Sequence, residues 1–309
     1  MKIAIVLTVI LSISLQLSAT NIIFVKENAT GNGASWEDAT GDLQAALQSA
    51  KKGMQIWVGE GIFYPANCDR CNDRARSIVF NIKDGVELYG GFAGTESKLS
   101  QRKWRQYPTT LSGNIGRADN LDNSFSIIYT RNVSKETVVD GFLISDGNAN
   151  GLAVERDFTR AGAGWYNDGE EGISNPTIRN CIFMYNQASE GGAIFNNGYK
   201  GIANPNIRNC TFVNNLATTS GGAVFNYTKG STERKVGKFT NCKFVSNEAK
   251  IGGGVFSMGR ADLVENEMEF CIFMNNKAKT GQDWHIESAG GVPSTELKRV
   301  MEDSRGASM

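Results

Sequence analysis

Cysteine is the residue whose spacing offers the most chemistry in this chain. Cys68 and Cys71 bracket two charged residues in a polar loop over 66–76. Such a pair can close a local disulfide, supply half of a metal site, or run thiol–disulfide exchange. In an exported chain the disulfide is the expected state. No second pair outside the repeat cysteines could complete a metal site, and no βαβ pattern surrounds the motif. The other four, Cys181, Cys210, Cys242 and Cys271, lie 29, 32 and 29 residues apart. That spacing fits no zinc site. Residues stacked in register point the same way, which is poor disulfide geometry, so these four are expected to pack as small apolar side chains.

The remaining polar candidates are few. His285 is the only histidine; a catalytic histidine needs a partner base or nucleophile, and its neighbours supply none. Arg179 and Arg208 stand two residues before a cysteine, and Lys243 one after. They could line a cationic groove for a sugar acid, or form a solvated stripe. Tyr185, Tyr199, Tyr227 and Trp165, with Tyr166, fall near turns and could stack on sugar rings. Asp140, Asp146 and Asp157 are acidic but lack the spacing of a calcium loop. Neither a paired Asp-Asp nor a Gly-His-Gly motif is present. No metal site, cofactor or assignable catalytic residue is expected.

What positions these residues is a repeat. Counted from each cysteine, a phenylalanine follows by two (Phe183, Phe212, Phe244, Phe273), an asparagine by five (Asn186, Asn215, Asn247, Asn276) and an alanine by seven (Ala188, Ala217, Ala249, Ala278). A glycine step and a short apolar run close three of the units, as in Gly191 to Phe195, Gly221 to Phe225 and Gly252 to Phe256. Apolar runs this short, bounded by Asn and Gly, are strands. Cysteine and phenylalanine, two apart, share a face. The apolar residue three before each cysteine has the opposite parity. The chain must therefore turn at Asn180, Asn209, Asn241 and Phe270, where Asn suits a left-handed corner. Stacked asparagines can bond amide to amide. A unit of strand, corner, strand, glycine turn and strand at a period near 30 is one rung of an all-β, right-handed parallel β-helix, a solenoid. His285 takes the ladder slot of Phe195, Phe225 and Phe256 and ends that stack.

The Phe183-x-x-Asn186 and Gly191-Gly192-Ala193-Ile194 motifs resemble repeats of the chlamydial polymorphic outer-membrane proteins. The chain to about residue 285 resembles secreted right-handed β-helix proteins of Bacteroidetes-type bacteria, with a pectin-lyase-like fold. That likeness lies in Gly31-x-Gly33-x-Ser35-Trp36, in Ile56-Trp57-Val58, in Leu88-Tyr89-Gly90-Gly91-Phe92, in Gln101-Arg102-x-Trp104 and in Leu111-Ser112-Gly113-Asn114. The resemblance implies the fold. It leaves function open, because the fold hosts adhesins, passenger domains and polysaccharide lyases. Lyases of this kind use a Lys or Arg base, with Ca²⁺ or another Arg neutralising a uronate carboxylate.

Residues 1–19 carry a lysine, an apolar core and a small-residue end, the pattern of a secretory signal peptide. No cysteine follows the cleavage region, and the mature chain contains no stretch able to span a membrane. Residues 20–286 are expected to form the β-helix. An amphipathic helix over 40–53 caps its N-terminal end, with Leu43, Ala46, Leu47 and Ala50 on one face. Phe142 and Ala149 match the repeat, so 150–161 is an insertion, and insertions in solenoids often lie on the binding side. Longer loops are expected over 196–203 and 227–237. The tail 287–309 loses the pattern and forms either a short helix or a disordered end. Lys+Arg and Asp+Glu both number 32, which excludes a basic nucleic-acid binder. The expectation is a monomer, secreted or at the cell surface, with outer-membrane association open. It is a non-catalytic adhesin contacting polysaccharide or cell-surface glycan. The alternatives are a lyase or glycoside hydrolase on an acidic polysaccharide, and a spacer.

Overall fold

Strand-forming runs of three to six residues, each ended by a residue that bends the chain, leave little choice but coiling. The computed structural model describes residues 22–68, 71–117, 119–231, 235–259 and 265–288. The expected signal peptide and most of the tail lie outside them. The chain winds into a parallel β-helix of about eight turns. Parallel strands joined by crossovers are right-handed in nearly all proteins, and this coil is a right-handed parallel β-helix.

Three parallel sheets run its length. The first holds eight strands, from Ile22–Val25 through Gln55–Gly59, Glu87–Phe92, Val138–Asp140, Thr177–Arg179, Asn206–Arg208 and Lys235–Thr240 to Glu265–Glu269. The second holds seven, from Gly61–Phe63 to Ile272–Met274. The third also holds seven, from Phe80–Asn81 to Trp284–Ser288. Register follows the repeat: Phe183 pairs with Phe212, Phe212 with Phe244, and Phe244 with Phe273. Their rings stack at 5.1, 4.9 and 4.7 Å. Cys181, Cys210 and Cys242 are buried beside them as free thiols, each donating to the carbonyl two residues back. Burial pushes the Cys210 thiol well above its ordinary range.

The corners are where the sequence placed them. Asn180, Asn209, Asn241 and Phe270 have φ of 54, 53, 54 and 53°. A second left-handed corner, four residues after each cysteine, was not legible. It falls at Tyr185, Asn214, Ser246 and Asn275, with φ of 54 to 55°, and only two of the four are asparagine. Asn186, Asn215, Asn247 and Asn276 follow it directly and form a buried amide ladder. Each Nδ2 up to Asn247 donates to the next Oδ1 at 2.9 to 3.1 Å, and that oxygen also accepts the backbone N–H of the previous asparagine.

The third sheet alternates cleanly. Trp165, Ile194, Val224 and Val255 face the interior. Tyr166, Phe195, Phe225 and Phe256 belong to a separate outer cluster. This outer ladder begins at Tyr129 and ends at His285, which stacks on Phe256 at 5.7 Å.

The cap helix is shorter than expected, Leu43–Ser49, because Asp42 is its N-cap, accepting from Ala45 N at 2.9 Å. Leu43, Ala46 and Leu47 pack into the core beside Val25, Ile56 and Phe80, closing the first turn. Between the first two sheets' strands and the third, a short helix, Asp73–Arg76, leads into the two-residue strand Phe80–Asn81. The expected loops at 196–203 and 227–237 begin late, since Asn196, Asn197 and Tyr227 are buried strand residues.

Candidate binding clefts

The residues singled out above do not converge on one site. Trp165 is the clearest correction. It lies in the interior with no exposed surface, and its Nε1–H donates to Thr130 Oγ1 at 2.8 Å, so it cannot meet a sugar ring. A strand starting Gly-Trp-Tyr offers two aromatics of opposite parity, and the second one faces out. Tyr185 is exposed at the second corner, with no ring stacked on it among the described residues. Arg208 is exposed, its Nε donating to Asn206 Oδ1 at 2.9 Å. Arg179 is tied to Asp140 at 2.6 Å.

Tyr199 and Tyr227 do come together, stacked at 6.0 Å with their planes nearly parallel. They belong to a cleft of about 430 Å³ on the outer side of the third sheet. Its roof is the 150–161 insertion, which brings Arg156 to 4.4 Å from the Tyr227 ring centre. Its back wall is the start of the outer aromatic ladder, Tyr129 on Tyr166 at 5.8 Å. The polar groups are fixed by bonds to one another. Tyr129 donates to Asp168 Oδ2 at 2.7 Å, Tyr166 donates to the Arg156 carbonyl at 2.6 Å, and Asn197 Nδ2 reaches Glu170 Oε2 at 3.1 Å. Burial, reinforced by the Asp168 carboxylate, pushes the Tyr129 hydroxyl up to about 12. It stays a donor at every physiological pH. Burial raises Glu190, behind Arg156, above the usual carboxylate range. The Arg156 Nε–H is buried with no acceptor among the described residues.

Lys243 lines a second cavity, at the corner between the first and second sheets. Asn180, Asn209 and Asn241 run along it, amide to amide at 3.4 and 2.8 Å. The segment 102–106 forms one side. The buried Asp140 carboxylate pairs with both Arg102 and Arg179 and accepts from Asn180 Nδ2 at 2.8 Å. Asp140 is therefore occupied, Asp146 accepts from Ser145, and Asp157 accepts from the Thr159 amide. No cluster of three acidic, His or Cys side chains able to hold a metal occurs among the described residues.

Cys68 and Cys71 are bonded to each other, with 5.5 Å between their Cα atoms. The arginine-rich loop beside them is less solvated than its composition suggests. Arg76 is buried over the Phe125 ring and donates to the Asn123 and Asn148 carbonyls.

No protein-family model matches this chain, and neither does any curated protein or solved structure. No helix among the described residues is long and apolar enough to cross a membrane.

Proposed function

We propose that this chain is an exported, non-catalytic surface or extracellular β-helix protein of adhesin type, which contacts a glycan in the cleft under the 150–161 insertion. The observation that carries the reading is the Tyr199–Tyr227 stack beside fixed polar groups. Sugars present apolar faces and polar edges. A cleft of a few hundred Å³ with aromatic walls and a few oriented hydrogen-bonding groups suits one or two such rings. The unpartnered Arg156 Nε–H favours a ligand acceptor at the same place. Export rests on the leader-like segment 1–19 and on the Cys68–Cys71 bond, which suits an oxidising compartment.

One observation favours an enzyme instead: Asp168 and Glu170 both lie in the cleft. A hydrolase needs two carboxylates with separate roles. Against it, Asp168 already accepts from Tyr129 and pairs with Arg131 at 3.5 Å. The deciding experiment is a glycan array with the purified chain, followed by titration of each hit. Tyr199→Ala should weaken a hit about tenfold, the value of one lost aromatic stacking contact. No hit at high micromolar concentration would leave the spacer reading. Reducing ends or unsaturated products released from any polysaccharide would replace the adhesin with an enzyme.

A further inference from the structure

The corner cavity has a character unlike the aromatic cleft. It is an open groove of about 690 Å³, and no acidic residue among the described residues lines it. Its floor is the row of Asn180, Asn209 and Asn241 side chains. Its wall is built rather than draped. Arg102 Nη1 donates to the Gly90 and Asp140 carbonyls at 2.9 Å each, and Lys103 N donates to Gly91 O at 3.1 Å. Trp104 lies so close to the corner that a Cβ on Gly91 would stand 2.2 Å from its Cα. This anchoring leaves Lys103 and Arg105 exposed on one side of the cavity, with Lys243 exposed on the other. None of the three has a carboxylate partner among the described residues. Asp140, which Arg102 holds, is buried and already shared with Arg179, and Glu96, which lines a neighbouring cavity with Lys103, accepts the Ala93, Gly94 and Thr95 amides.

We propose that this groove binds a stretch of anionic polysaccharide, with Lys103, Arg105 and Lys243 meeting its carboxylate or sulfate groups and the asparagine row meeting its hydroxyls. Uncompensated like charges in a walled groove repel one another, and a polyanion relieves that repulsion. Amides both donate and accept, as sugar hydroxyls require. A nucleic acid fits less well. The chain is neutral overall, and the one aromatic in the groove, Trp104, is half-buried with Arg105 packed 4.8 Å from its centre, which leaves no row of rings for bases. The site lies at the corner between the first and second sheets, apart from the aromatic cleft on the third, and stands whether or not that cleft binds sugar.

The test titrates the purified chain with polygalacturonate, with chondroitin sulfate and with neutral dextran at about 50 mM salt, where charge contacts are weakly screened. One or both polyanions should bind and dextran should not; which of them binds separates carboxylate from sulfate recognition. Lys103→Ala/Arg105→Ala/Lys243→Ala should weaken binding about tenfold or more and flatten its salt dependence. Lys250→Ala/Lys277→Ala/Lys279→Ala removes the same charge at exposed positions outside the groove and should change affinity less than about twofold. Circular dichroism melts of both variants confirm that they fold. Failure of both polyanions to bind, equal losses in the two variants, or equally tight binding of single-stranded DNA would overturn the proposal.

Discussion

At the scale of single residues, asparagine carries this protein in two different ways. Asn209 turns a corner in the open, and any residue tolerant of positive φ would do the same. Asn215 is buried and has no substitute. Its amide donates to the Phe183 carbonyl and to Asn247, and its oxygen accepts both the backbone and side-chain N–H of Asn186. Asn215→Ala should cost about 3 kcal/mol or more in a urea titration, because buried groups on both neighbouring turns each lose a hydrogen bond. Asn209→Gly should cost less than about 1 kcal/mol, since glycine adopts the corner freely. Tyr129 gives a prediction in pH. Its hydroxyl titrates near 10 when unfolded and at about 12 in place. The folded state therefore holds this proton more tightly. The contribution is complete below pH 10 and lost as pH rises through 12. Phenolate absorbance should show a late-titrating tyrosine that Tyr129→Phe removes. The residue level was only partly legible: the spacing gave the asparagine positions, but nothing in it said that those five after each cysteine are buried and those one before are not.

Among the elements, the strands hold the frame and the connections make the clefts. The 150–161 insertion was legible as a break in the period, and it roofs the aromatic cleft. The 98–107 connection was not, because it precedes the regular repeats and gives no register to break. It leans along the corner from the turn ending at Phe92 until it faces Asn241. Gly91 permits this, at φ 90° with Trp104 against it. Gly91→Ala should lift the segment while the sheets persist. Mass spectrometry of a timed trypsin digest should then show cleavage at Lys103 and Arg105 about tenfold faster than in the parent chain, with the far-ultraviolet circular dichroism unchanged.

For the whole molecule, stability is set by how many neighbours each turn has. An interior turn is packed on both sides, while the last described turn is packed on one. Phe212 is fully buried between Phe183 and Phe244, whereas Phe273 is only partly buried, and Ile272 and Met274 beside it are exposed. Phe212→Ala should cost about 3–5 kcal/mol, and Phe273→Ala less than about 2 kcal/mol. Paired denaturation curves check both. Hydrogen exchange should quicken toward Trp284–Ser288 for the same reason.

The amino-acid sequence alone determined the coil. A period near 30, a two-residue alternation and a turn-forming residue at a fixed offset can be satisfied together only by stacking like on like. It determined that Cys181, Cys210 and Cys242 are core residues, with Cys271 half-buried at the end of their row, that Phe142 takes the cysteine slot one turn earlier, and that His285 closes an aromatic stack. What it could not determine is which outward residues meet one another. Periodicity assigns a face, but the surface is made where aperiodic connections fold back over several turns. Tertiary structure alone turned Trp165 inward, joined Tyr199 to Tyr227 beneath Arg156, and set Lys243 across a groove from Lys103 and Arg105. Those contacts span large separations along the chain, and no local pattern encodes them.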